Sequence, residues 1–325
     1  MNGPNTNGET QSWSAQGRPV EYVSIKVRTL LRRAAEGDGP WYWAVNPYQG
    51  CEFGCTFCSS RLNRTELEDW RAFEQRVRVK ANAVEAFHRD VRASDFENRQ
   101  VVLGTSSEPW QQAEENFRVT RALLEAMATV DGVDLRINTR SSLIARDTDV
   151  LRKIARKGRV TVTFSIASLD ERVNRLMEPR APSALRRLAA MEALARSGIS
   201  VGLVVSPYLP GLDEDELSLE TLMTRASNAG VRFGGLVPIQ FAPGQRENFL
   251  SHVTALYPDA ATRFRRIIGR RAMSSEERAE LRGRFDALCA RLGVEPLHRV
   301  APPRAVERRT PAAQQLTLFS MERLA

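Results

Sequence analysis

Three cysteines stand within eight residues, in Gly50-Cys51-Glu52-Phe53-Gly54-Cys55-Thr56-Phe57-Cys58, at the spacing C-x3-C-x2-C. A fourth, Cys289, lies far downstream. Spacing this tight is no disulfide framework, and clustered thiols in a reducing compartment bind metal. A glycine-containing loop can wrap three thiolates round a 4Fe–4S cube and leave one iron open. That iron can chelate the amino and carboxylate groups of S-adenosylmethionine. An electron passed into the sulfonium then releases a 5′-deoxyadenosyl radical. Two other readings use the same residues. Zinc wants four closed ligands, and the fourth would come from His88, His252, His298 or Cys289, none at paired spacing. Alternatively the cysteines are small buried side chains with no metal.

The elements around the cysteines set where they stand. Apolar runs at Tyr42–Asn46, Gln100–Gly104, Val133–Asn138, Val160–Ser165, Ile199–Ser206 and Val231–Val237 read as strands. Helical patterns at Lys80–Arg92, Glu114–Thr129, Arg146–Lys157, Pro182–Ser197 and Asp213–Asn228 separate them. Six βα units with Val-, Ile- and Leu-rich strands argue for a parallel sheet, and right-handed crossovers curl it into an open barrel two units short of closure. The fold class expected is α/β, a partial (β/α)6 open barrel of TIM type with a C-terminal helical extension. The division expected is a disordered lead-in and first helix over 1–40, the barrel over 41–241, helices over 242–299 and a flexible tail over 300–325. The cysteine loop then follows the first strand.

Composition narrows the partners. The formal net charge is +8, and Lys26, Lys80, Lys153 and Lys157 are the only lysines among 47 basic residues. The surplus attracts polyanions, though the arginines are scattered and arginine bias also follows from genome composition. No apolar run approaches the roughly 20 residues that span a bilayer, and the first twenty residues lack the apolar core of a signal peptide. A cytoplasmic location without membrane contact follows as an expectation.

In the stretches NPYQGCEFGCTFC, GTSSEPW with ENFRVTRALLEAM, INTRSSLIARD, FSIASLDERVNRLMEPRAPS and VVSPYLPGLDEDE, the chain resembles the radical S-adenosylmethionine superfamily. More narrowly it resembles the branch related to spore photoproduct lyase, often labelled DNA repair photolyase-like. The resemblance spans about Trp41 to Phe241. It implies a 4Fe–4S cluster on Cys51, Cys55 and Cys58, with S-adenosylmethionine at the carboxyl ends of the strands. Ser106, Ser107 and Glu108 follow the second strand where relatives contact the methionine amino group; Glu108 is the acceptor, or else it caps the next helix. Arg140 matches a basic position near the cofactor carboxylate, or is simply exposed. Ser165 reaches ribose or carboxylate, or caps the helix that follows it. Phe57 and Ser59 flank the last cysteine where relatives approach adenine. The resemblance also implies an electron donor such as flavodoxin or ferredoxin.

One departure bears on the substrate. Relatives that repair the thymine dimer carry a hydrogen-donating cysteine after the second strand, and the nearest position here is Thr105. A hydroxyl O–H bond is too strong for that task, so the repair reaction is not carried over. Cys289 lies on a helical pattern, most simply as a buried apolar side chain. Three functions stay open: a radical enzyme acting on DNA, one modifying RNA, a peptide or a small molecule, and a non-catalytic zinc scaffold. Near the C-terminus Gln315-Leu316-Thr317-Leu318-Phe319 resembles the motif by which bacterial DNA-metabolism proteins dock on the replication sliding clamp. Gln315, Leu316, Leu318 and Phe319 would fill the clamp groove, or fold back as a strand on the barrel edge.

Overall fold

The computed structural model describes residues 10–15, 18–33, 43–61, 72–93, 96, 100–209, 216–239, 241, 245–256, 258–269 and 273–300. Residues 1–9 of the expected lead-in and the expected tail from 301 to 325, with its Gln315–Phe319 segment, lie outside them.

Six strands follow one another in space as in sequence: Trp43–Val45, Gln100–Leu103, Asp134–Thr139, Arg159–Ile166, Ser200–Tyr208 and Phe233–Pro238. Each pairs in parallel with the next. The sheet is open. Arg32–Arg33 adds an antiparallel edge beside the first strand, and Glu295–Pro296 a parallel edge beside the last. The six expected strands are thus present, each with the expected direction and neighbours.

Burial alternates along the central strands and tells their two faces apart. Leu135, Ile137, Val160, Val162, Phe164 and Ile166 are buried against helix residues such as Leu123, Met127, Leu151 and Met191 in one large core. The opposite face carries Arg136 and Asn138 on one strand and Thr161, Thr163 and Ser165 on the next, none of them buried. A parallel sheet covered on both sides would be apolar on both. A polar, accessible inner face is the arrangement of a barrel with a ligand-sized interior.

The helices form where apolar spacing meets a cap. Thr148–Lys157 buries Val150, Leu151 and Ile154, three residues of one stripe. Glu171–Met177 is capped by Asp170, which accepts from the Arg172 N–H at 2.8 Å. The expected helix over 114–129 is two helices, Ala113–Phe117 and Val119–Met127, because Arg118 takes a left-handed conformation at φ 52°. The buried Glu114 carboxylate compensates, accepting the N–H groups of Thr120 and Arg121 in the second helix's first turn. The expected helix start at Lys80 is also displaced: Arg76–Lys80 is a strand, and the helix runs Ala83–Ala93.

The lead-in is corrected as well. Instead of disorder followed by a helix, Thr10–Ala15 and Arg18–Ile25 form an antiparallel pair. The second strand pairs with Arg76–Lys80, which also pairs with Tyr48–Gln49 just before the cysteines. Val20 and Tyr22 are buried while Glu21 and Val23 are not, so a period-two pattern sat inside a polar composition. Past the barrel, helices Gln245–Leu256, Pro258–Gly269 and Ser275–Arg291 follow. The first two bury Phe249, Val253, Phe264 and Ile268 against Leu176 and Met177, with Phe57 packed on the same cluster. No helix among the described residues is long and apolar enough to cross a membrane.

Candidate cofactor site

The cysteine loop leaves the carboxyl end of the first barrel strand and is built so tightly that glycine is obligatory. Gly50 sits at φ +88°, and a Cβ there would stand 2.7 Å from the Arg76 carbonyl oxygen and 2.9 Å from that of Phe73. The Cys51 N–H donates to the Phe73 carbonyl at 3.0 Å, and the Cys58 N–H to the Cys55 carbonyl at 3.2 Å. Arg61 pins the loop from below. Its Nε donates to the Cys55 carbonyl at 3.2 Å, it pairs with buried Glu74, and it lies 5.4 Å over the Phe73 ring.

Two further segments clamp the same loop. From the helix after the fourth strand, the Met177 carbonyl accepts the Thr56 N–H at 2.9 Å, and Arg180 donates from its backbone to Phe53 and from its guanidinium to the Glu52 carbonyl. From the loop after the second strand, the Gln111 amide bonds the Glu52 N–H at 2.8 Å and the Gly50 carbonyl at 3.3 Å. Glu52 is fully buried and accepts from the Tyr22 hydroxyl and the Ala113 N–H. The loop is therefore held before any ligand arrives.

Cys51 and Cys55 are buried, Cys58 is half-buried, and all three are free thiols. Burial pushes the Cys51 thiol up to about 12, and pushes Cys55 well above its ordinary value, with Glu178 adding to the push and Arg140 opposing it. Neutral thiols in a dry pocket ionise when a metal takes the place of the proton. Among the described residues no group of three or more His, Cys, Asp or Glu side chains is set to hold a metal ion. A closed structural zinc site wants four ligands, whereas three thiolates suit a cube with one open corner.

The other expected site residues divide. Arg140 reaches the loop: its guanidinium lies 5.3 Å over the Phe57 ring, and its Nε bonds Glu178 at 2.8 Å. Phe57 is half-buried, and its carbonyl accepts the Gln245 side-chain amide at 2.5 Å. Ser59 is exposed at the start of a short 3-10 turn. Ser106 is exposed; its N–H and that of Thr105 donate to the Asn46 side chain at 3.0 and 3.1 Å. Ser107 is buried and donates to the Tyr48 carbonyl. Ser165 is half-buried on the inner face, and its carbonyl accepts from Arg187.

Glu108 is a strut between two strand ends. Its buried carboxylate accepts from the Thr139 hydroxyl at 2.7 Å, the Arg140 N–H at 2.8 Å and the Trp110 N–H at 3.1 Å. Burial still holds its pKa above the ordinary value, against the pull of those donors. Cys289 is buried elsewhere, packed near Gly234 on the last barrel strand. Sequence reasoning missed Glu178, Arg187, Gln111 and Gln245. Their partners are distant in the chain, and the one available signal was that Glu178 lies in the family-like stretch ending MEPRAPS.

A family model described as the Radical SAM superfamily matches residues 45–221. An uncharacterized protein of Mycobacterium tuberculosis is 28% identical over 304 residues, covering 92% of this chain and 88% of that one. An uncharacterized protein of Methanocaldococcus jannaschii is 25% identical over 198 residues, covering 61% of this chain and 71% of its own length. Among solved structures, a spore photoproduct lyase variant with bound AdoMet and dinucleoside spore photoproduct superposes with a TM-score of 0.63 at 17% identity, covering 85% of this chain and 81% of that one. A second spore photoproduct lyase structure, complexed with the dinucleoside spore photoproduct, gives 0.63 at 16% over the same shares.

Proposed function

The chain belongs to the radical S-adenosylmethionine superfamily, and we propose that Cys51, Cys55 and Cys58 hold its 4Fe–4S cluster, with nucleic acid, most specifically DNA, as the substrate. It is a radical SAM enzyme whose cofactors are that cluster type and S-adenosylmethionine. The chemistry supplied when both are bound is reductive cleavage of the sulfonium to a 5′-deoxyadenosyl radical. The observation that carries the assignment is the pre-built loop: three thiols from eight residues, fixed by Gly50, Arg61 and the Met177–Arg180 clamp, at the carboxyl end of the first barrel strand.

The chain's own residues have distinct tasks. The loop presents thiols and keeps water away through Phe53, Phe73 and Ala181. Arg140 places a cation beside Cys55 and Cys58. Ser165, Thr163 and Asn138 line an inner face that can hydrogen-bond ribose or substrate. Asn46 orients the exposed Thr105 and Ser106, which form the rim on the strand-two side. DNA is favoured by the +8 charge and by neighbours that carry a dinucleoside photoproduct. A tail ending in Gln315, Leu316, Leu318 and Phe319 would tether the enzyme to the sliding clamp, and an electron donor of the flavodoxin or ferredoxin type would reduce it.

The test is anaerobic reconstitution followed by dithionite and S-adenosylmethionine. The wild type should bind about four irons and release 5′-deoxyadenosine, and Cys51→Ala, Cys55→Ala and Cys58→Ala should each lose both, while Cys289→Ala keeps them. Colourless protein with one zinc would overturn the cluster assignment. Binding to duplex and single-stranded DNA over a salt series tests the substrate class; no salt-dependent affinity for either would point to a small molecule or peptide instead.

A further inference from the structure

Resting on that cluster assignment, we infer that Glu178 is a positioning residue for the iron–sulfur group, acting by fixing the Arg140 guanidinium against the cysteine loop. Glu178 lies after the fourth strand, and its side chain is fully buried. One carboxylate oxygen accepts from Arg140 Nε at 2.8 Å, and the other pairs with Arg187. Arg187 is itself fully buried and anchored, donating from Nε to the Pro182 carbonyl and from Nη1 to the Ser165 carbonyl, each at 2.8 Å. Glu178 therefore has one orientation available.

Arg140 is held from two other directions. Its backbone N–H donates to Glu108, its guanidinium lies on the Phe57 ring, and Phe57 in turn is fixed by Gln245 and directly precedes Cys58. The titratable groups around the guanidinium are the carboxylates of Glu178 and Glu108 and the thiols of Cys55 and Cys58. Arg140 keeps its charge, as an arginine guanidinium does even when buried, and the Glu178 carboxylate stands beside it. An exposed arginine bound only to a small-molecule carboxylate would need no such frame. A cation fixed beside an iron–sulfur group favours the added electron, and the carboxylate behind it opposes that; charge, hydrogen bonding and burial are the protein's levers on such a potential.

The readout is the midpoint potential of the reconstituted cluster, measured by redox titration with electron paramagnetic resonance, alongside iron content. Arg140→Gln should lower the potential; Glu178→Gln should also shift it, and that shift should shrink in the Arg140→Gln background because Glu178 acts through the guanidinium, with iron near the wild-type level in all three variants. A role limited to holding the fold would change iron content or stability and leave the potential of the assembled cluster alone. Glu178→Gln leaves Arg187 without its counter-charge, so Glu178→Gln/Arg187→Gln, which removes both charges of the pair and keeps an amide donor, is measured beside it. If neither assembles, Arg140→Lys decides, because it keeps the cation and loses the Nε bond to Glu178; a wild-type potential in that variant overturns the inference. A potential that ignores Arg140→Gln, or a Glu178→Gln shift that is as large in the Arg140→Gln background, overturns the inference. A wild-type protein that binds no cluster overturns the cluster assignment beneath it.

Discussion

Glu108→Gln separates two jobs that one carboxylate could hold. On a sequence reading it accepts the methionine ammonium of the cofactor; in the fold it ties the ends of the second and third strands together through three donors. Glutamine has nearly the same shape but only one oxygen. If its NH2 takes the place of Oε2, it faces the Arg140 N–H across the 2.8 Å now spanned by a hydrogen bond. If the amide flips, the NH2 meets the Trp110 N–H, while the Thr139 hydroxyl can turn to accept. Either way one buried backbone N–H is stranded. Leaving a buried donor unsatisfied costs about 1–3 kcal/mol.

That is a large share of a total stability of about 5–15 kcal/mol. At roughly 2–4 °C per kcal/mol for chains somewhat shorter than this one, it amounts to a fall of several degrees. The assay is urea denaturation of protein with neither cluster nor S-adenosylmethionine, compared with calorimetric binding of S-adenosylmethionine by the reconstituted enzyme. The strut predicts a loss of stability without any cofactor present. Unchanged unfolding together with a tenfold or greater loss of cofactor affinity would refute it and return Glu108 to the role of ligand.

Because burial raises the Glu108 pKa above its ordinary 4.5, the folded state binds that proton more tightly than the unfolded state does. Its contribution to stability is complete below about pH 4.5 and is lost as pH rises through the folded value. The stability gap between wild type and Glu108→Gln should therefore narrow upward from pH 4.5, and a widening gap would show that the three donors outweigh burial. Gly50→Ala should abolish cluster assembly, since its Cβ meets two backbone oxygens under 3.0 Å away; Gly198→Ala, at φ +87° with nothing within 4 Å, should cost only about 1–2 kcal/mol and keep iron content. Equal iron contents would remove the steric argument. Asp147→Ala should cost about 3–5 kcal/mol and give mostly insoluble protein, because Asp147 is fully buried and bonds Trp110, Arg121 and Arg146 at once. A soluble variant with a wild-type unfolding midpoint would refute that.

The parts legible in the sequence are those whose causes are local. Val160, Val162, Phe164 and Ile166 alternate within eight residues, so the strand shows itself without its neighbours. The three thiols lie in one short loop, so the proposal that they share one ligand can be made from spacing alone. Glu178 and Arg140 are 38 residues apart, and Gln245 and Phe57 are 188 apart. Nothing in either member of such a pair announces the other. Glu108 shows the complementary failure: a carboxylate in a polar loop reads as a cofactor acceptor or a helix cap, yet it is buried on three donors from backbone and side chains that the fold brings together.

The stretches that most resemble a family turn out to be divided between site and scaffold, for a physical reason. A closed barrel fixes its loops through a continuous ring of strands, whereas this sheet has two edges. Its upper loops need another source of rigidity. In GTSSEPW and INTRSSLIARD that source is a buried polar frame: the Trp110 indole donates to Asp147 at 2.8 Å, Arg146 bridges Asp147 and Glu114, and Glu114 accepts the Tyr48 hydroxyl beside the cysteine loop. Buried ionic groups contribute little net stability when every partner is present, but removing any one is costly. Such a frame discourages loop motion more than it stabilises the fold. For thiols proposed to sit at fixed spacing round an inorganic group, that trade is the useful one, and it gives motif residues such as Trp110 and Asp147 a structural task.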